Sequence, residues 1–230
     1  MATFVLVHGA WHGGWCWKHV MELLAAKHHT VFAPTLTGLC ERSHLLKPDI
    51  NLDTHILDIV NEIKWKDLRD VILVGHSSGG MVVSGVVEKM EKSIAALVMV
   101  DAFFPADGQS SSDLDPWKSR ILKALDEGLT ALPPLTAAML GVNEQDRAWV
   151  DAKCTPQPIQ CFMQPAALSG ARERIGKKAY IRAKEFQFSA FDAGMSEARK
   201  HGWDTHEVPG GHDVMIDAPT QLAEILDGLA

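Results

Sequence analysis

Residues 70–85 read Asp-Val-Ile-Leu-Val-Gly-His-Ser-Ser-Gly-Gly-Met-Val-Val-Ser-Gly, and their reading decides the fold. Val71–Val74 has the length and β-branched content of a buried strand. The run stops at Gly75-His76-Ser77-Ser78-Gly79, and Met81–Met90 then has the composition of a helix. A glycine-flanked serine between a strand and a helix is the setting of a nucleophile elbow. The reason is steric: Ser77 has to sit on a sharp, strained turn with its hydroxyl projecting, while neighbouring chain comes close on both sides. Taken alone, G-x-S-x-G also describes an ordinary Gly/Ser turn; the strand before it and the helix after it carry the catalytic reading.

Working outward, Thr3–Val7 reads as a strand and ends in His8-Gly9-Ala10-Trp11-His12-Gly13-Gly14, ahead of a helix over Trp15–Lys27. Glycines between a strand and a helix free backbone N–H groups to point into a pocket, as an oxyanion hole requires. The amides of Ala10 and of Ser78, the residue after the serine, are the candidates. Thr30–Ala33 is a second strand closed by Pro34, Thr35–Asp49 is a loop, and Asn51–Lys66 carries a helical apolar stripe. Ile94–Val100 is another continuous aliphatic strand, ending at Asp101. Strands alternating with helices at this spacing predict a mostly parallel, doubly wound α/β sheet.

Residues 106–175 lose that rhythm and become rich in Pro, Ala and Leu, with helical pieces expected around Pro116–Glu127, Pro134–Leu140 and Asn143–Lys153. They read as a small helical cap inserted after the strand that follows the serine, so that 1–105 and 176–230 form the core. The sheet resumes at Ala179–Ala183, followed by a helix near Phe191–His201, a strand at Asp204–Val208, a loop Pro209-Gly210-Gly211-His212-Asp213 and a last helix Pro219–Leu229. Apolar cap residues such as Phe104, Trp117, Leu135 and Phe162 are expected to fill its own core, and some of them to line a pocket above Ser77.

The composition, 47% hydrophobic and 22% charged over 230 residues, is that of an ordinary globular protein. A net charge of −7 without a Lys/Arg cluster argues against nucleic acid as a partner. No apolar run reaches the roughly 18–20 residues of a membrane span, and the N-terminus has no basic region or cleavage site of a signal peptide. Cys16, Cys40, Cys154 and Cys161 lack metal-site spacing and read as isolated thiols of a cytoplasmic protein. His8 and His12 are four apart, but the glycines around them break any helix that could make them metal ligands, so no metal or cofactor is expected.

A serine hydroxyl needs a base within hydrogen-bond reach and a third group to orient that base. Of eleven histidines, His212 has the right address, in a Gly-Gly loop after the last strand. The usual chain order of an elbow-type enzyme puts the acid between serine and histidine. Asp101, at the carboxyl end of a parallel strand where such sheets place ligands, is favoured over Glu185, with Asp192 and Asp213 behind.

The stretches Leu-Val-His-Gly-Ala-Trp-His-Gly-Gly-Trp-Cys-Trp (6–17), Gly-His-Ser-Ser-Gly-Gly (75–80), Phe-Phe-Pro (103–105) and Gly-Gly-His-Asp-Val-Met (210–215) resemble the α/β-hydrolase branch of plant methylesterases and hydroxynitrile lyases, with its bacterial esterase relatives. The resemblance implies the α/β-hydrolase fold, Ser77 as nucleophile, His212 as base, and Ala10 with Ser78 as oxyanion donors. Two departures stand out. The plant enzymes carry their aspartate after the fifth strand, where this chain has Lys184-Glu185-Phe186; haloalkane dehalogenases place the acid in a setting similar to Val100-Asp101-Ala102-Phe103. The lyases also carry a lysine after the catalytic histidine, whereas here Asp213 follows it, a charge that disfavours cyanide. The expectation is therefore a cofactor-free carboxylesterase for small to medium esters, as a monomer or homodimer. A cyanohydrin lyase and a ligand-holding receptor without turnover are the alternatives.

Overall fold

The computed structural model describes residues 1–230. Strands β1 (Thr3–Val7), β2 (Thr30–Phe32), β3 (Val71–His76), β4 (Ile94–Val100), β7 (Lys177–Ala183) and β8 (Asp204–Val208) form one sheet in the order β2-β1-β3-β4-β7-β8, with every neighbouring pair parallel. Val5 sits opposite Leu73, and Leu73 opposite Leu97, so the centre of the sheet is aliphatic across three strands. All six residues of β3 are buried, as the uninterrupted apolar run requires of a strand covered on both faces.

Helices α1 (Lys18–Ala26) and α11 (Pro219–Asp227) pack on one another, as do α2 (Leu52–Trp65) and α3 (Gly79–Met90), which gives helical layers around the sheet. The sequence boundaries move by one to three residues. The helix expected from Trp15 opens as a tight 3₁₀ turn over Gly14–Trp17, and the elbow helix begins two residues early, at Gly79. The stripe of α2 starts behind Asn51, whose side chain accepts a hydrogen bond from the Thr54 amide at 3.1 Å, a cap worth about 1 kcal/mol.

Residues 106–175 hold α4 (Ser111–Leu114), α5 (Lys118–Asp126), α6 (Arg147–Lys153), α7 (Gln160–Met163), α8 (Ala171–Arg174) and an antiparallel pair, β5 (Ala131–Leu132) with β6 (Gln157–Pro158), that the sequence did not announce. Two of the expected helical pieces are corrected. Pro134–Leu140 forms turns, not a helix: Thr136 O receives the amides of Met139 and Leu140, and Gly141 then adopts φ +75°. The Asn143–Lys153 piece becomes helical only at Arg147, because the Asn143 side chain accepts from the Gln145 and Asp146 amides and holds a turn there. No helix is long and apolar enough to cross a membrane.

Candidate active site

Ser77, Asp101 and His212 come to the carboxyl edge of the sheet from the ends of β3, β4 and β8. This is the edge where parallel α/β sheets bind ligands. Ser77 has φ +54°, the left-handed turn expected of an elbow, and is held by its N–H on Val100 O (3.2 Å) and its carbonyl on the Phe103 amide (3.1 Å). The close approach is visible at Gly79, where a Cβ would lie 2.9 Å from the carbonyl oxygens of both Val7 and His8. The G-x-S-x-G spacing thus reports that the elbow wedges against the end of β1.

Asp101 is fully buried and takes φ +44° at the end of β4. Its Oδ2 accepts the His212 Nδ1–H at 2.6 Å. Its Oδ1 accepts from Arg182 Nη1 at 2.5 Å and from the Ala183 amide at 3.1 Å. A carboxylate so placed fixes the imidazole tautomer, leaving Nε2 free to act as a base. Glu185, by contrast, is exposed, and its only hydrogen bond is a backbone one, to Gly210 O. Asp192 reaches only Arg182, at 2.9 Å from Nε. Sequence reasoning did not single out Arg182; its signal was an arginine within the buried, mostly apolar stretch Ala179–Ala183 of β7, a position that demands a charge partner.

His212 is positioned from three sides. Its amide donates to Leu140 O at 2.8 Å, bringing the 106–175 segment onto the histidine. Gly211 permits this: a Cβ there would lie 2.3 Å from Gly141 O. Its ring lies against Phe186 at 27° and Phe191 at 11°, with centroids 4.7 and 5.1 Å away. Its carbonyl accepts from His76 Nε2 at 3.0 Å. Burial, reinforced by the nearby His212, holds His76 neutral, well below the ordinary histidine range. Ser77 and His212 line the same pocket, and Ser77 Oγ does not donate to His212 Nε2 in this state. In serine enzymes that bond often tightens only around substrate.

The amides of Ala10 and Ser78 donate to no group of the protein, although Ala10 is buried and both residues line the pocket with Ser77. The strand pair β5/β6 fixes the loop that carries Ala10. Trp11 donates from its amide to Gln157 Oε1 (3.2 Å) and from its indole to Leu132 O (3.0 Å). Beneath the loop, His12 donates from Nδ1 to Ala10 O at 2.8 Å and meets Asp213 Oδ2 through Nε2 at 3.1 Å. Burial opposes a charge on His12, but the Asp213 carboxylate outweighs it and raises its pKa well above the ordinary value. Asp213 is itself fully buried and outside the pocket lining, so its charge is spent on His12. The role of this pair was not legible in the sequence, where residues 12 and 213 are far apart.

The pocket is a narrow cleft lined mainly by apolar residues, among them Trp11, Phe103, Trp117, Leu135, Phe162, Phe186 and Phe188. Phe104 faces elsewhere, packing edge-on against Trp203 at 5.1 Å. The four cysteines are free thiols.

A parallel α/β sheet with a serine on a left-handed turn and an acid–histidine pair from neighbouring strand ends defines the α/β-hydrolase class. The chain belongs to the alpha/beta hydrolase family, which it matches over residues 4–225. It is 39% identical over 242 residues, covering 100% of both chains, to a carbendazim hydrolyzing esterase of Nocardioides sp. (strain SG-4G). It is 27% identical to esterase PIR7B of Oryza sativa subsp. japonica, over 99% of this chain and 95% of that one. Among solved structures, an extracellular alpha/beta-hydrolase from a Paenibacillus species, described as sharing structural and functional homology with tobacco salicylic acid binding protein 2, superposes with a TM-score of 0.87. Its identity is 26%, over 100% of this chain and 99% of that one.

Proposed function

We propose that the protein is a carboxylesterase in which Ser77 is the nucleophile, His212 the general base and acid, Asp101 the orienting acid, and Ala10 with Ser78 the oxyanion donors. One observation carries the reading. A buried carboxylate holds His212 by Nδ1 at 2.6 Å beside a serine on a left-handed turn, in a pocket that also receives two unpartnered amides. Ser77 Oγ attacks the ester carbonyl carbon while His212 Nε2 takes its proton. The tetrahedral oxyanion rests on the two amides, each worth about 3–4 kcal/mol in comparable sites. His212 returns the proton to the departing alkoxide, and the C–O bond breaks to leave an acyl-serine and an alcohol. Water, deprotonated by His212, attacks the acyl group; Ser77 leaves with the proton, and the acid is released. No step requires a cofactor.

The esterase names of the Nocardioides and rice relatives support this chemistry, and the aromatic cleft suits small to medium esters with an aromatic or alicyclic part. Residues 106–175 act as the cap, 1–105 and 176–230 as the catalytic core, and four free thiols favour a reducing, cytoplasmic setting. The lyase alternative calls for a cation beside the base, and position 213 holds a carboxylate already engaged by His12.

Hydrolysis of p-nitrophenyl acetate and butyrate tests the proposal. Wild type turns both over, Ser77→Ala is folded and inactive, and Asp101→Asn loses about four orders of magnitude in kcat while Glu185→Gln stays near wild type. A folded, active Ser77→Ala would overturn the mechanism, and a collapse confined to Glu185→Gln would move the acid to that loop.

A further inference from the structure

The loop that carries His212 is fastened by a carboxylate outside the cleft. Asp217 closes α10 (Val214–Asp217), the short helix after the histidine, and is not part of the cleft lining. Its Oδ2 accepts the Gly211 amide at 2.8 Å. Its Oδ1 accepts two N–H groups of Asn143, the backbone amide at 3.0 Å and the side-chain Nδ2 at 2.9 Å. All three partners are neutral donors, and a carboxylate has two oxygens to serve them where an amide has one. The loop is pressed onto this residue: Gly210 has φ +104°, and a Cβ there would lie 2.7 Å from Asp217 Cβ.

Asn143 is itself held in place. Its Oδ1 receives the amides of Gln145 and Asp146, and its Nδ2 also donates to Asp146 Oδ2 at 2.7 Å. Arg147 Nε donates to Val142 O at 2.9 Å, which ties the turn at 140–143 to the start of α6. At the head of that turn Leu140 O takes the His212 amide at 2.8 Å, and Leu140 lines the cleft with Ser77 and His212. The turn thus holds two successive N–H groups of the histidine loop: that of His212 directly, and that of Gly211 through Asp217. The loop's other ties run through carbonyls, Gly210 O accepting the Glu185 amide at 3.2 Å and His212 O accepting His76 Nε2 at 3.0 Å. Neither can replace the acceptor that the buried Gly211 amide finds in Asp217.

We infer that Asp217 and Asn143 are positioning residues for His212, setting how far its Nε2 reaches toward Ser77 Oγ. The inference rests on the esterase reading of this site. Asp101 sets the tautomer and turns the ring; the distance to Ser77 follows the backbone at 211 and 212, which the turn at 140–143 holds. A displacement of ~1 Å at a reacting group costs about a hundredfold in rate, so a tie one residue from the histidine matters to turnover as well as to stability. Asp217→Asn tests it at constant size: its single oxygen serves Gly211 or Asn143, and its N–H₂ faces a donor on the other side.

The test compares p-nitrophenyl butyrate with benzyl butyrate in wild type and Asp217→Asn. The acyl group is the same, but p-nitrophenolate leaves unaided, whereas the benzyl alkoxide needs the proton that His212 returns. A misplaced histidine therefore costs more on the benzyl ester. In Asp217→Asn, kcat/KM is expected to fall about tenfold on p-nitrophenyl butyrate and about a hundredfold on benzyl butyrate. A variant that is merely less folded loses the same factor on both. A ratio that stays at the wild-type value, at full or reduced activity, overturns the inference and leaves the esterase reading intact. Should Asp217→Asn not fold, Asn143→Ala carries the same comparison; it keeps the backbone bond to Asp217, and the ratio should widen about threefold. A second readout does not depend on turnover. The His212 Nδ1 proton, held on Asp101 at 2.6 Å, should give a far-downfield proton resonance that His212→Gln lacks, and Asp217→Asn should broaden it. If wild type hydrolyses one ester or neither, this resonance decides, and its persistence unchanged in the folded variant overturns the positioning role. Hydrolysis of neither ester overturns the esterase reading separately.

Discussion

Arg182 and Asp101 form a buried ion pair, Nη1 to Oδ1 at 2.5 Å, and the second oxygen of the same carboxylate holds His212 at 2.6 Å. Arg182 in turn is gripped by Asp192 at 2.9 Å and by the carbonyls of Ala183 and Phe186. Burial works against the charge of Arg182, and the two carboxylates overcome it and raise its pKa. Asp101 is therefore held at a fixed angle before substrate arrives.

Arg182→Met is expected to lower kcat/KM for p-nitrophenyl butyrate by about a hundredfold, the cost of a displacement of ~1 Å at a reacting group. It also leaves the buried Asp101 without its cation, at a stability cost of about 3–5 kcal/mol by urea unfolding. Arg182→Lys recovers only part of the loss, since one ammonium cannot reproduce the fork that joins Asp101 to Asp192. A fully active Arg182→Met would show that the Ala183 amide alone suffices to place Asp101.

Asp213→Asn removes the charge that keeps His12 protonated beneath Ala10. Stability from the raised His12 pKa is fully present below about pH 6.5 and is lost as pH rises through the folded value; that from the depressed Asp213 pKa is present above about pH 4 and lost below it. The wild-type pair therefore stabilises across the neutral range. The variant should lose about 3–5 kcal/mol there and show a reduced kcat with a smaller change in KM, as the Ala10 loop loosens. Unfolding curves and ester kinetics at pH 7 check both.

His8 is buried neutral, donating from Nδ1 to Gly9 O (2.8 Å) and accepting the Leu36 amide on Nε2 (3.0 Å), so a second proton has no place to go. Burial, against the help of the Gly9 bond, lowers its pKa to about 3. The unfolded chain takes up that proton below about pH 6.5 and the folded one does not, so stability falls with pH by about 1.4 kcal/mol per unit for this residue. In His8→Gln, the difference in unfolding free energy between pH 6.5 and pH 4.5 should shrink by about 2–3 kcal/mol. An unchanged difference would mean that His8 is protonated in the folded protein.

Gly79→Ala drives a methyl to 2.9 Å from two backbone carbonyls of the Val7–His8 segment, which cannot move without disturbing β1. Overpacking of this kind costs about 1–3 kcal/mol. Because the same movement displaces Ala10, activity on p-nitrophenyl acetate should fall further than unfolding of the variant explains.

Much of this site was legible along the chain. Ser77 and the Gly-Gly loop of His212 have short-range signatures, because an elbow and a tight loop are set by local backbone sterics. The parallel sheet was legible for the same kind of reason: strands covered on both faces must be continuously apolar, and Val71–Val74 and Ile94–Val100 are. The choice between Asp101 and Glu185 was not local. It turns on which carboxylate the parallel pairing of β4 and β7 buries against His212, and Arg182, one strand away, completes that burial. The same holds for His12 with Asp213 and for the strand pair that pins Trp11. Each depends on residues tens to hundreds of positions apart, brought together by packing that no window of sequence contains. The sequence by itself determined the strands and helices of the core and the serine of the elbow; the tertiary structure alone decided which charges are buried, and what each of them touches.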